Sequence, residues 1–153
     1  GAPVTKWSSS TATTCGLSEP QSAPGPAVTA TKSAPNSTPV TSPEEAARGA
    51  RALLQSGVAV AAVSLGEQGA VLAHGTDLLY AEPPSTDVVS TVGSGDCMVA
   101  GFAAALARDM EMETMLRWGV AAGTANAAVL GPGLCTRAEI EQLVPQVKVV
   151  PLT

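Results

Sequence analysis

Charge is scarce in this chain. Only 14% of its 153 residues are Asp, Glu, Lys or Arg, aromatic residues make up 3%, and the formal net charge is −5. The basic residues, Lys6, Lys32, Arg48, Arg51, Arg108, Arg117, Arg137 and Lys148, are scattered along the sequence. A nucleic-acid binder needs a basic stripe that displaces counterions from phosphates, and a single-strand binder also needs aromatic platforms for the bases. Neither is present, so nucleic acid is not an expected partner. Cysteine and histidine are equally sparse. Cys15, Cys97 and Cys135 form no CxxC pair, and with the single His74 they make neither a zinc set nor a disulfide framework. This points to a reducing compartment. No basic-then-apolar leader opens the sequence, and the most apolar stretches, 99–107 and 120–130, are too short to span a bilayer. The expectation is a cytoplasmic protein without a membrane partner.

Apolar residues make up 45% of the chain, enough for one domain with a real core. Residues 1–38 are mostly Ser, Thr, Ala and Pro and show neither a helical nor a strand period, so this segment reads as irregular or disordered. From residue 39 to 153 the punctuation is clean. Ser42-Pro43-Glu44-Glu45 offers a hydroxyl cap, a proline at the first helical position and a Glu three residues after the cap, predicting a helix to about Ser56. Val58–Val63 is a continuous apolar run, as in a strand covered on both faces. After the turn Ser64–Gly69, two short strands, Ala70–Ala73 and Leu78–Glu82, are linked through His74–Asp77 as a hairpin. Val88–Thr91 reads as a short extended segment.

Gly93-Ser94-Gly95 then opens a long helix to about Arg108, with Met98, Val99, Phe102 and Leu106 on one face. A second helix covers about Glu113–Ala128, and Thr136 with Glu139 forms a capping box for a short third one. Val147–Val150 closes the chain as a strand. This order indicates a layered α/β domain.

Ser90-Thr-Val-Gly-Ser-Gly-Asp96 is the stretch richest in chemistry. Two glycines around one residue allow a sharp bend at a helix mouth, with amides facing outward unobstructed by Cβ atoms. A helix N-terminus carries unsatisfied donors and partial positive charge, and so suits an anion. A carboxylate in that first turn, Asp96, can take a proton from an alcohol while the amides stabilise charge on a phosphoryl group. A purely structural bend with a local Asp accounts for the same residues. The dinucleotide fingerprint and the P-loop are absent, since Gly93–Met98 lacks the third glycine and no Gly-Lys-Ser/Thr occurs.

Three ordered segments resemble the phosphofructokinase-B branch of the ribokinase family of carbohydrate kinases. Thr91-Val-Gly-Ser-Gly-Asp-Cys-Met-Val-Ala-Gly-Phe102 is similar to the family's TxGAGD signature, with Ser94 in place of the usual Ala. Val63-Ser-Leu-Gly-Glu-Gln-Gly-Ala70 resembles its SLGxxGA nucleotide loop, and Gly119-Val-Ala-Ala-Gly-Thr-Ala-Asn126 its adenine-pocket helix. The ending, from Gly131-Pro-Gly-Leu134 through Val144–Leu152, looks most like the 1-phosphofructokinase and tagatose-6-phosphate kinase group. The resemblance covers residue 39 to the C-terminus and implies the C-terminal part of a ribokinase-like α/β/α domain.

It further implies ATP-dependent phosphoryl transfer to a sugar phosphate, most closely a 1-phosphofructokinase, with Asp96 as general base. Gly93, Ser94 and Gly95 would form the anion hole. Ser64, Gly66 and Gly69 would hold the nucleotide, with Val120 and Thr124 near its adenine or ribose. Magnesium would accompany ATP. A monovalent cation such as potassium would be held by carbonyls of Ser90, Val92, Asn126, Val129, Gly131 and Gly133. The family's first half, with its lid, sugar-phosphate clamp and dimer contact, has no counterpart here. Where the family carries Lys-Pro-Asn and Asn-x-x-Glu elements, this sequence has Lys32-Ser-Ala-Pro-Asn36-Ser-Thr-Pro39. A non-catalytic nucleotide-binding remnant is therefore the alternative.

Overall fold

The computed structural model describes residues 42–153 and the backbone of one strand, Val28–Thr31. Three layers are present: a central sheet, one helix on one face, and a group of helices on the other. The sheet contains β1 (Val28–Thr31), β2 (Val60–Ser64), β3 (Ala70–His74), β4 (Asp77–Glu82) and β5 (Lys148–Pro151), side by side in chain order. β1 pairs with β2 in parallel and every other neighbouring pair is antiparallel.

The strands sort their side chains by alternation. Val60 and Ala62 of β2, with Ala70 and Leu72 of β3, face a core shared with Phe102, Met115, Leu116 and Val120. Ala61 and Val63, with Val71 and Ala73, face Ala46, Ala47 and Ala50 of α1 (Pro43–Gln55). All of these strand residues are buried, as the unbroken apolar runs predict. The small side chains let α1 lie close on its face of the sheet. Its start is fixed as the sequence predicts, with Ser42 Oγ accepting the Glu45 N–H at 3.3 Å.

On the opposite face, α2 (Ser94–Leu106) and α3 (Met112–Ala127) pack against each other. Glycine permits the approach. A Cβ on Gly101 would lie 2.7 Å from the Trp118 carbonyl oxygen, and one on Gly119 would penetrate the Phe102 ring. A Cβ on Gly123 would lie 3.1 Å from the Ser94 carbonyl oxygen. These pairings run in opposite directions, so the C-terminal end of α3 meets the N-terminal end of α2. α4 (Arg137–Leu143) follows and packs on α3.

Three local expectations change. Val99, expected on the packed face of α2, is exposed; that face is Met98, Phe102, Ala105 and Leu106. Residues 88–91 join no strand. The Val89 and Ser90 N–H groups instead donate to the Ala127 carbonyl at 2.8 and 3.1 Å, satisfying an acceptor at the end of α3. β1 lies inside the segment read as irregular, because its four residues gain order only by pairing with β2, far along the chain. The other residues before Ser42, including Cys15 and the Lys32–Pro39 stretch, lie outside the described residues.

Candidate active site

The sharp bend expected at residues 93–95 is present. Gly93 is the N-cap of α2 and has φ 83°, a left-handed conformation costly for any residue with a Cβ. Its surroundings reinforce that demand, since a Cβ there would come within 2.5 Å of Pro132 Cβ. Having no side chain, Gly93 cannot cap the helix. The Ser94 N–H is held by the Thr91 carbonyl at 3.2 Å, but the Gly95 and Asp96 N–H groups find no backbone acceptor among the described residues. Among the described residues two donors therefore remain open at the positive end of a 13-residue helix. Asp96, in the same turn, is exposed. Among the described residues nothing hydrogen-bonds or ion-pairs with its carboxylate.

The bend is held from outside by Asn126, which is fully buried near the end of α3. Its Nδ2 donates to the Val92 carbonyl at 2.9 Å and to Ser94 Oγ at 3.3 Å. Its Oδ1 accepts the Gly133 N–H at 2.7 Å and the Cys97 thiol at 3.3 Å. One amide thus uses both of its donors and both lone pairs to tie the α2 mouth to the loop after α3. Sequence reasoning chose Asn126 for its main-chain carbonyl and missed this side-chain role. The available signal was a lone amide in the Ala- and Gly-rich run 119–128.

The expected carbonyl set for a monovalent cation comes from segments that converge here, 90–92 with the end of α3 and the loop to Gly133. Two of those carbonyls are already in use. Val92 oxygen accepts from Asn126 Nδ2, and Asn126 oxygen accepts the Val129 N–H at 3.2 Å. Each carbonyl oxygen keeps a second lone pair, so these hydrogen bonds leave it able to face a cation. For magnesium, no group of three or more His, Cys, Asp or Glu is gathered among the described residues.

The expected nucleotide loop follows β2. Ser64 ends that strand, and Gly66 is exposed on the short 3-10 turn Gly66–Gln68. Gly69 has φ 100°, and a Cβ there would collide with the Ala81 carbonyl oxygen, so only glycine closes the turn against β4. Tyr80 Oη on β4 donates to the Gln68 carbonyl at 2.6 Å and pins the loop, a contact the sequence did not reveal. Burial, followed by the charges of Glu82 and Glu44, pushes the Tyr80 hydroxyl above its ordinary pKa, so the donor keeps its proton. No hydrogen bond links this loop to the α2 mouth among the described residues. Val120 and Thr124 are both buried; Val120 packs in the core, and Thr124 Oγ1 donates to the Val120 carbonyl at 2.9 Å.

The three-layer α/β/α core is of the ribokinase-like class of fold, as its solved neighbours show. Phosphofructokinase-2 from Escherichia coli in complex with potassium superposes with a TM-score of 0.64 at 34% identity, covering 69% of this chain and 35% of that one. Ribokinase from Thermotoga maritima superposes with a TM-score of 0.60 at 26% identity, covering 65% of this chain and 34% of that one. The model of the pfkB family of carbohydrate kinases matches residues 29–139, and the chain belongs to that family. It is 36% identical over 115 residues to 1-phosphofructokinase of Bacillus subtilis, covering 75% of this chain and 37% of that protein. To the ATP-dependent 6-phosphofructokinase isozyme 2 of Escherichia coli it is 35% identical over 105 residues, or 68% and 34% of the two lengths. The chain thus spans little more than a third of the curated relatives it matches.

Proposed function

We propose that this chain supplies the catalytic turn of an ATP-dependent kinase acting on a phosphorylated hexose, most closely a 1-phosphofructokinase. The observation that carries the reading is the pairing of two amides, Gly95 and Asp96, with an exposed carboxylate in the same helical turn, all without partners among the described residues. In this reading the sugar hydroxyl approaches Asp96, which accepts its proton as the oxygen attacks the γ-phosphorus of ATP in line. The bond from that phosphorus to the bridging oxygen breaks and ADP leaves. The amides at the α2 mouth take the charge on the transferred group, helped by the helix dipole. Gly93 and Ser94 shape the bend, and the turn Ser64–Gly69 holds the nucleotide. Magnesium would arrive with the ATP phosphates and offset their charge. Potassium held by the carbonyls named above belongs to the same reading, and no step is routed through it.

Asp96→Asn, made in a longer protein containing this region, tests the base. Turnover falls at least twentyfold while stability changes by no more than about 1 kcal/mol, since the carboxylate is exposed. Retention of more than a few per cent of activity removes Asp96 from its role. The alternative reading is a nucleotide-binding remnant without turnover. Calorimetry with ATP on this chain, run beside a turnover assay with fructose 1-phosphate, separates the two.

A further inference from the structure

The turn Ser64–Gly69 is held only in part by its own residues. Its base is closed by the Leu65 N–H on the Gly69 carbonyl at 2.8 Å. Nearer the tip, the Gln68 and Gly69 N–H groups reach the Leu65 and Gly66 carbonyls only at 3.3 and 3.2 Å, and Leu65 provides no side-chain cap. Gly66 and Gly69 have φ 64° and 100°, conformations that glycine is as free to leave as to adopt. The remaining tie comes from outside the turn. Tyr80 on β4 donates its Oη proton to the Gln68 carbonyl at 2.6 Å, and its ring packs against the same buried cluster as Leu65. We propose that Tyr80 is a positioning residue for the nucleotide: its hydroxyl fixes the turn in the shape that receives ATP, without touching the ligand.

The inference rests on the reading of Ser64–Gly69 as the nucleotide loop and adds what holds that loop ready. A glycine-rich turn that samples many shapes must be ordered when its ligand binds, and that cost is subtracted from affinity. A tie formed beforehand removes part of the cost. Here the tie spans 12 positions in sequence, so the β3–β4 register, with Val71 opposite Tyr80, decides where the hydroxyl lies. Burial, followed by the charges of Glu82 and Glu44, raises the Tyr80 pKa, so the donor keeps its proton throughout the neutral range. The bond itself is exposed, and water can replace the hydroxyl at the Gln68 carbonyl. Its loss should therefore cost the fold little while loosening the turn.

The test is Tyr80→Phe in the full chain, which keeps the ring and removes the hydroxyl. Calorimetry with magnesium–ATP should show the dissociation constant rise about fivefold, while the melting temperature falls by no more than about 3 °C. Hydrogen exchange should quicken at the Gln68 and Gly69 amides but not at those of β3, and saturating ATP should slow it again in both proteins. Equal ATP affinity in the two proteins would overturn the inference and leave the nucleotide-loop reading standing. No ATP binding by the unsubstituted chain would overturn that reading and the inference with it. Weaker binding together with a larger fall in melting temperature would make Tyr80 a residue of the fold rather than of the site, and would also overturn it.

Discussion

The N-terminal turns of α2 and α4 begin from similar small and hydroxyl-bearing residues and end with opposite hydrogen-bond balances. At α4, Thr136 Oγ1 accepts the Glu139 N–H at 3.3 Å while Glu139 Oε2 accepts the Thr136 N–H at 2.6 Å, a complete capping box. The turn supports itself and leaves little for a ligand. At α2 the cap is a glycine in the left-handed region, its neighbouring amides stay open, and the restraint comes from Asn126 and Pro132 on other elements. A self-capped helix is stable by local means. A helix mouth that presents donors to a ligand must borrow its rigidity from elsewhere.

Substitutions can break that contrast, beginning with Asn126→Ala. It strands the Val92 carbonyl and the Gly133 N–H, leaves a buried gap, and should lower stability by about 3 kcal/mol in urea denaturation. A loss below about 1 kcal/mol would mean that the α2 mouth holds its own shape. Gly93→Ala comes next, at about 2 kcal/mol, because the methyl group meets both an unfavourable φ and Pro132. Thr136→Ala should cost about 1 kcal/mol, confined to α4, and a thermal melt followed by circular dichroism measures it.

The smallest effect is a pH dependence. Hydrogen bonds from the Thr136 backbone and then its side chain hold the Glu139 carboxyl below its usual value of 4.5. With a folded pKa below the unfolded one, the contribution is present above about 4.5 and is lost as pH falls through the lower folded value. Glu139→Gln should flatten that part of the stability profile and leave the α2 mouth unaffected.

Legibility in the sequence followed the range of the interaction. Both hydroxyl caps, Ser42 and Thr136, and the hairpin turn at Gly75-Thr76 depend on residues within a few positions, and the structure has them where the sequence puts them. The three-layer arrangement was also readable, because the apolar run in β2 and the small-residue helices demand cover on both sheet faces. The bend at Gly93 was visible for the same local reason. The grip of Asn126 was not, since its partners at Val92 and Gly133 arrive from separate loops. The Tyr80 bond to Gln68 and the pairing of β1 with β2 likewise join distant parts of the chain. Burial of Val120 and Thr124 reflects which side of α3 the sheet covers, and helical period alone does not decide that.

The carbonyl of Ala127, which receives both the Val89 and the Ser90 amide, carries a kinetic consequence. Loops on a protein surface usually trade their amide hydrogens with deuterated solvent independently and fast. Here those two protons are held by the last turn of α3, which Asn126 also ties to Gly133. The three amides, in two separate loops, should therefore exchange together as one slow unit.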